Sequence, residues 1–149
     1  MIEIQKAYFD RDYKFIVEAQ LAMAYETENL HLDKSILEKG VAAVFNDSNK
    51  GQYYIAVFNQ KPVASLMITF EWSDWRNKMV WWIQSVYVLP EFRGQGIYKK
   101  MYQEIFKLAQ TQQIAGLRLY VDKTNKNAAA VYTKLGMDGT HYHLFEKML

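Results

Sequence analysis

Apolar positions along this chain recur at two spacings, and the switches between them mark its elements. Met1-Ile-Glu-Ile-Gln-Lys alternates with a period of two, so residues 2–8 are predicted as a first strand. Asp10 or Asp12 can cap a helix that carries Phe15, Ile16, Ala19, Ala22 and Met23 on one face. Residues 25–32 break that pattern and predict a loop or kink. Asp33 is placed to cap a second helix through Ile36, Leu37, Val41, Val44 and Phe45, and the polar run 46–51 ends it.

Residues 53–58 and 63–70 are predicted strands joined by Asn59-Gln60-Lys61-Pro62, a hairpin signal. Residues 71–77, Glu-Trp-Ser-Asp-Trp-Arg-Asn, form a polar-aromatic turn leading into a long strand over 79–88. Val86, Tyr87 and Val88 are strong strand formers, and Pro90, lacking an N–H donor, ends the run. Arg93-Gly94-Gln95-Gly96 turns tightly, and Ile97, Met101, Ile105 and Leu108 return at helical spacing, predicting a helix over 96–112. Residues 116–121 alternate again, and residues 125–135 form a short helix stopped by Gly136. The stretch from 137 onward predicts one or two final strands.

The resulting order, β-α-α-β-β-β-α-β-α-β with room for one more strand, describes an α/β (α+β) chain with a mixed central sheet. No repeat or linker divides it, so residues 1–149 are expected as a single domain. The strand–helix–strand unit from 79–88 to 116–121 predicts two parallel neighbours with a right-handed crossover.

Composition narrows the possibilities. Apolar residues are 50% and aromatics 15% of the 149, which excludes a disordered tail. The absence of cysteine excludes disulfide scaffolds, thiolate zinc sites and a cysteine nucleophile, and points to a reducing cytosol. The first residues carry no secretory apolar region, and no apolar run is long enough to span a bilayer, so a cytoplasmic protein with no membrane partner is expected. The 18 basic and 16 acidic residues are interspersed, giving a net charge of +2 and no basic stripe, so no nucleic-acid partner is expected. Lys99 and Lys100, with Lys123 and Lys126 further on, supply charge enough for one phosphorylated ligand but not for a nucleic-acid track.

The chemistry centres on residues 85–101. A strand that runs into a glycine turn and then a helix aims backbone N–H groups and the positive end of the helix dipole at one point, where a phosphate fits. A bare Gly-x-Gly is a common connection. Here it stands inside Pro90-x-x-Arg93-Gly94-x-Gly96, and a second half follows downstream: Asn125-x-x-Ala-x-x-x-Tyr132-x-x-Leu135-Gly136-Met137.

These two motifs together resemble the GNAT superfamily of acetyl-CoA-dependent N-acetyltransferases, and the element order resembles that fold over essentially the whole chain. The resemblance implies a pyrophosphate loop at Arg93, Gly94, Gln95, Gly96, Ile97 and Tyr98, acting mainly through backbone N–H groups. It implies that Val86, Tyr87 and Val88 offer the exposed strand backbone to the pantetheine arm. It further implies that Asn125 hydrogen-bonds the cofactor and that Tyr132 gives a proton to the departing thiolate. Tyr98 stands where that family has Gly or Ala, and its N–H serves if the ring turns away. Many members of the family pair as homodimers, so the resemblance implies a possible homodimer.

The implied chemistry is consistent on its own terms. An alkylamine, with a pKa near ~10.4 as in lysine, must lose a proton before attacking a thioester. The oxyanion then needs N–H donors, and the thiolate needs an acid, a role a phenol can fill. For the base or ammonium anchor the candidates are Glu71 and Glu28, with Asp74 and Glu26 beside them in the same two segments. Trp72 and Trp75 could box a cation, while Trp81 and Trp82 suit packing. His141 and His143 share one face of a predicted strand but lack the further ligands a zinc site needs, so no metal is expected. The expected activity is acetyl transfer from acetyl-CoA to a primary amine, a small cationic molecule in the first instance. A protein or peptide amine is the alternative acceptor, and a non-catalytic acyl-CoA-binding sensor is the rival from another class.

Overall fold

A computed structural model describes residues 1–149. The elements are β1 (Ile2–Lys6), α1 (Phe9–Glu28), α2 (Lys34–Asn46), β2 (Gln52–Phe58), β3 (Lys61–Ser73), β4 (Lys78–Val88), α3 (Ile97–Thr111), β5 (Gly116–Arg118) and α4 (Lys126–Lys134). A single 3₁₀ turn, Pro90–Phe92, separates β4 from the glycine turn. The chain divides into two compact units, Met1–Arg118 and Leu119–Leu149.

In the first unit, five strands form one sheet in the order β1-β2-β3-β4-β5. The first three pairings are antiparallel and the β4–β5 pairing is parallel, with α3 supplying the crossover that a parallel pair requires. Asn59 and Gln60 take φ of 48° and 65°, the two positive values that a two-residue hairpin turn needs to match strand twist. Tyr53, Ile55 and Val57, all on one face of β2, pack with Ile16 and Val17 of α1 and Val41 of α2. On α3, Ile97, Met101, Ile105 and Ala109 recur every four residues and are buried. The glycine turn is thus fastened to the core by the helix it opens.

Side-chain acceptors hold the starts of the first two helices. The Asp33 carboxylate accepts the Ile36 N–H at 3.2 Å at the start of α2. Asp12 closes α1 from within the helix rather than from the cap position. Its fully buried carboxylate accepts the Tyr8 N–H at 2.8 Å and two guanidinium N–H groups of Arg11 at 2.6 and 2.8 Å.

Several boundaries differ from the sequence expectation. Residues 25–28 continue α1 instead of forming a loop, because no residue there is a helix breaker and Asn29, at φ 51°, supplies the left-handed stop. Glu71 and Trp72 lie inside β3, paired with Val80 and Met79, rather than in a turn. The first strand ends at Lys6, and β5 covers only three residues of the alternating stretch 116–121.

In the second unit, Asn125 caps α4 by accepting the Ala128 N–H at 3.1 Å. Gly136, at φ 88°, ends the helix, where Met137 N–H reaches the Tyr132 carbonyl at 3.1 Å. The final strands expected after residue 137 are absent. Alternation makes a strand only where a neighbour completes the ladder, and residues 138–149 are exposed and outside any ladder.

Candidate active site

The first motif, in the first unit, is built on a bulge in β4. Ser65 faces Tyr87 and Met67 faces Gln84, so Ser85 and Val86 together oppose Leu66. This bulge puts Ser85 at φ 57°, and the Gln20 side chain of α1 donates its amide to the Ser85 carbonyl at 3.0 Å. The ladder to β5 stops just before it, at Trp82 opposite Arg118. Residues 83–88, which include Val86, Tyr87 and Val88, therefore pair with β3 alone. A strand with one open side is what an extended amide-bearing ligand can join.

The turn that follows has the geometry of an anion cradle. Gly94 and Gly96 take φ of 74° and 75°, values that L side chains rarely adopt. A Cβ built on either glycine would meet no atom within 4 Å, so the turn faces open space on that side. Gly96 is the N-cap of α3, no side chain caps it, and the first helical bond is Lys100 N–H to Gly96 O at 3.0 Å. The positive end of the α3 dipole thereby carries no side-chain cap, the kind of helix terminus that favours an anion.

The side chains around the turn bond to the backbone and to α1, and Ile97 packs into the core. Gln95 donates to the Glu91 carbonyl at 3.0 Å. The Tyr98 ring lies near that of Tyr102, one turn further along α3, with centroids 6.5 Å apart. Arg93 donates to the Val88 carbonyl at 2.9 Å and to Glu26 at 2.7 Å. Lys100 is committed elsewhere, to the Ile2 carbonyl at 2.6 Å, while Lys99 is exposed.

The second motif lies in the second unit. Asn125 and Tyr132 are two turns apart on one helix face. Capping uses the Asn125 carbonyl oxygen, and its NH₂ group is the part suited to a ligand acceptor. Tyr132 is half-buried, and burial pushes its phenol above the ordinary tyrosine value, so it stays protonated at neutral pH.

The remaining candidates scatter. Glu71, on β3, accepts from the Arg118 guanidinium across the sheet, and Glu28 is exposed in the last turn of α1. Asp74 turns back to accept the Trp75 N–H at 2.9 Å. Trp81 is buried against Phe70, whereas Trp72 and Trp75 are exposed. His141 and His143 lie on no strand, and no group of three or more His, Cys, Asp or Glu comes together to hold a metal. No helix is long and apolar enough to cross a membrane.

Sequence reasoning missed Gln20 and gave Glu26 a different place. The signal for Gln20 is present: it follows Ile16 and Val17 and precedes Ala24 on the buried face of α1, and a polar residue there needs a partner.

Residues 13–137 match the model of the Acetyltransferase (GNAT) family. A crystal structure described as a possible acetyltransferase from Clostridium difficile 630 is 41% identical, superposes with a TM-score of 0.92 and covers 100% of this chain and 98% of that one. A predicted acetyltransferase from Clostridium acetobutylicum, solved with acetyl-CoA, shares the fold at 22% identity and a TM-score of 0.78, covering 99% and 96% of the two chains. Among curated proteins, thialysine N-epsilon-acetyltransferase of Bos taurus is 34% identical over 83 residues, 52% of this chain and 48% of that protein. The Caenorhabditis elegans protein of the same name is 25% identical over 117 residues, 77% and 72% of the two. The chain spans about half the length of the mammalian relative it matches. A bulged strand, a glycine turn at an uncapped helix, an Asn-capped helix bearing a tyrosine, and this family match all point one way: the chain belongs to the GNAT acetyltransferase family.

Proposed function

We propose that this protein transfers the acetyl group of acetyl-CoA to a primary amine on a small cationic molecule. The observation that carries the reading is the pair of left-handed glycines, Gly94 and Gly96, opening onto the uncapped N-terminus of α3 beside a strand with one open edge. In this reading the turn amides of residues 93–98 hold the diphosphate of the substrate, and the open edge of residues 86–88 pairs with its pantetheine amides. Backbone N–H groups near the bulge receive the oxyanion, and the Asn125 amide adds a hydrogen bond to the same substrate. Tyr132 gives its proton to the thiolate as the carbon–sulfur bond breaks, while the amine nitrogen forms the new bond to the acetyl carbon. The proton lost by the amine passes to a carboxylate or to water.

The likeness to thialysine N-epsilon-acetyltransferases supports a lysine-like amine as acceptor. Glu71 and Glu28 are the carboxylates that anchor the ammonium or take its proton. Glu71 already accepts from the Arg118 guanidinium, which holds its carboxylate on β3.

Calorimetry with coenzyme A and acetyl-CoA, followed by thiol release with a panel of amines, tests the proposal. Uptake of acetyl-CoA with turnover on lysine-like amines is expected. Uptake without turnover on any amine would replace the enzyme by a non-catalytic acyl-CoA sensor. No uptake would overturn the reading altogether.

A further inference from the structure

Arg93 makes three contacts, two with the end of β4 and one with the last turn of α1. Its Nε donates to the Val88 carbonyl at 2.9 Å, fastening the turn to the last residue of β4. Its Nη2 donates to Glu26 Oε2 at 2.7 Å, fastening the turn to the last turn of α1, 67 residues earlier. Its guanidinium lies over the Tyr87 ring, 5.3 Å from the centroid. Tyr87 is itself buried and donates its hydroxyl to the other Glu26 oxygen, Oε1, at 3.1 Å. Glu26 is therefore held at both oxygens, which is poor geometry for a base that must receive a proton from an amine.

The pair between Arg93 and Glu26 is partly exposed, with side chains 47% and 38% accessible. As an isolated surface ion pair it would contribute little to stability. Its consequence lies in what it holds still. Gly94 and Gly96 lose more backbone freedom on ordering than other residues would, and a ligand that had to order them would bind correspondingly less tightly. A planar guanidinium can bond a carbonyl, bond a carboxylate and stack on a ring at once, whereas an ammonium cannot.

We propose that Arg93, Glu26 and Tyr87 form a latch that sets the shape of the glycine turn before the substrate arrives, with Glu26 as a positioning residue contributed by α1. The latch rests on the reading of this turn as the coenzyme A site. It assigns Glu26 to the acetyl-CoA side of the reaction rather than to the amine.

The test measures coenzyme A affinity by calorimetry, and amide hydrogen exchange over residues 93–98 without ligand, in wild type, Arg93→Lys, Glu26→Gln, their double variant and Tyr87→Phe. Arg93→Lys is expected to weaken coenzyme A binding about tenfold and Glu26→Gln by about three- to tenfold. The double variant should be no weaker than Arg93→Lys, because both changes open one latch. KM for acetyl-CoA should rise in Glu26→Gln while kcat at saturation stays within about twofold, and exchange over 93–98 should quicken. Losses that multiply in the double variant would overturn the latch, and so would unchanged affinity in Glu26→Gln or a rise in KM for the amine alone. If Arg93→Lys does not fold, Glu26→Gln and Tyr87→Phe decide the matter through the same readouts. Absence of coenzyme A uptake by wild type would sink the site reading instead. The exchange rates would then still report whether Glu26 holds the turn.

Discussion

The Gln20 side-chain amide donates to the carbonyl oxygen of Ser85 across 3.0 Å, joining the middle of α1 to the bulge in β4. Gln20 is buried, and Ser85 sits at φ 57°, so the bond supports a backbone conformation that serine does not favour by itself. The bulge lies just past the last β4–β5 pair, Trp82 with Arg118, where β4 goes on with β3 as its single ladder partner. A contact between residues 65 apart in sequence therefore helps to hold the open edge in place.

Replacing Gln20 by Leu is expected to lower stability by about 1–3 kcal/mol, since the Ser85 carbonyl loses its buried partner. KM for acetyl-CoA should rise along with it. Ser85→Gly is expected to leave stability level or higher, because glycine accepts the left-handed backbone. Thermal unfolding with steady-state kinetics checks both; a Gln20→Leu variant with wild-type stability and KM would remove the amide from this account.

Three glycines separate binding from folding. At Gly94 and Gly96 a methyl group has open space, so Ala costs about 1–2 kcal/mol for the left-handed backbone, and coenzyme A affinity should drop. At Gly51, φ 154°, a Cβ would stand 2.9 Å from the Ile68 carbonyl oxygen, and backbone must move. Gly51→Ala should lower Tm and leave coenzyme A affinity of the folded protein unchanged. Calorimetry beside thermal melts distinguishes the two classes.

Tyr132→Phe removes the proposed acid and keeps the ring. The expected result is a kcat lowered by about 10²-fold or more, with coenzyme A affinity within a factor of about two. Because burial raises the Tyr132 phenol above its ordinary value, the acid stays protonated through neutral and mildly alkaline pH. In wild type, kcat should therefore show no alkaline fall below about pH 10, the ordinary tyrosine value. A fall near pH 8 would assign the limb to another group.

Stability should also decline at high pH. Burial pushes the Tyr53 phenol up to about 12, and it raises Tyr54, Tyr87, Tyr102 and Tyr132 as well. In the unfolded chain these phenols lose their protons near about pH 10, while the folded chain keeps them longer. Between the two values the unfolded state binds fewer protons, so stability falls as pH rises. Tm should stay level up to about pH 9.5 and drop steadily from about 10 to 12, and Tyr53→Phe should soften the drop.

The glycine turn, its flanking strand and helix, and the α4 pair Asn125 and Tyr132 were legible in the sequence because each follows from local rules. Pro90 ends a strand, Gly96 starts a helix, and an Asn seven residues before a Tyr shares its helix face. The later part of the chain was less legible. The alternation after residue 137 resembled a strand, yet a strand exists only with a partner, and local pattern carries no record of one. The cluster of polar and aromatic residues around Glu71 predicts a turn, but pairing with β4 keeps it in a strand.

The sequence by itself determined the class of fold and the turn, since periodicity, glycine and proline act over a few residues at a time. Only the tertiary structure decided where β4 bulges, that Gln20 bonds Ser85, and that Arg93 is held by Glu26 and Tyr87. Those contacts join residues dozens of positions apart. Their partners are chosen by how helices lie on the sheet, which no short stretch of letters encodes.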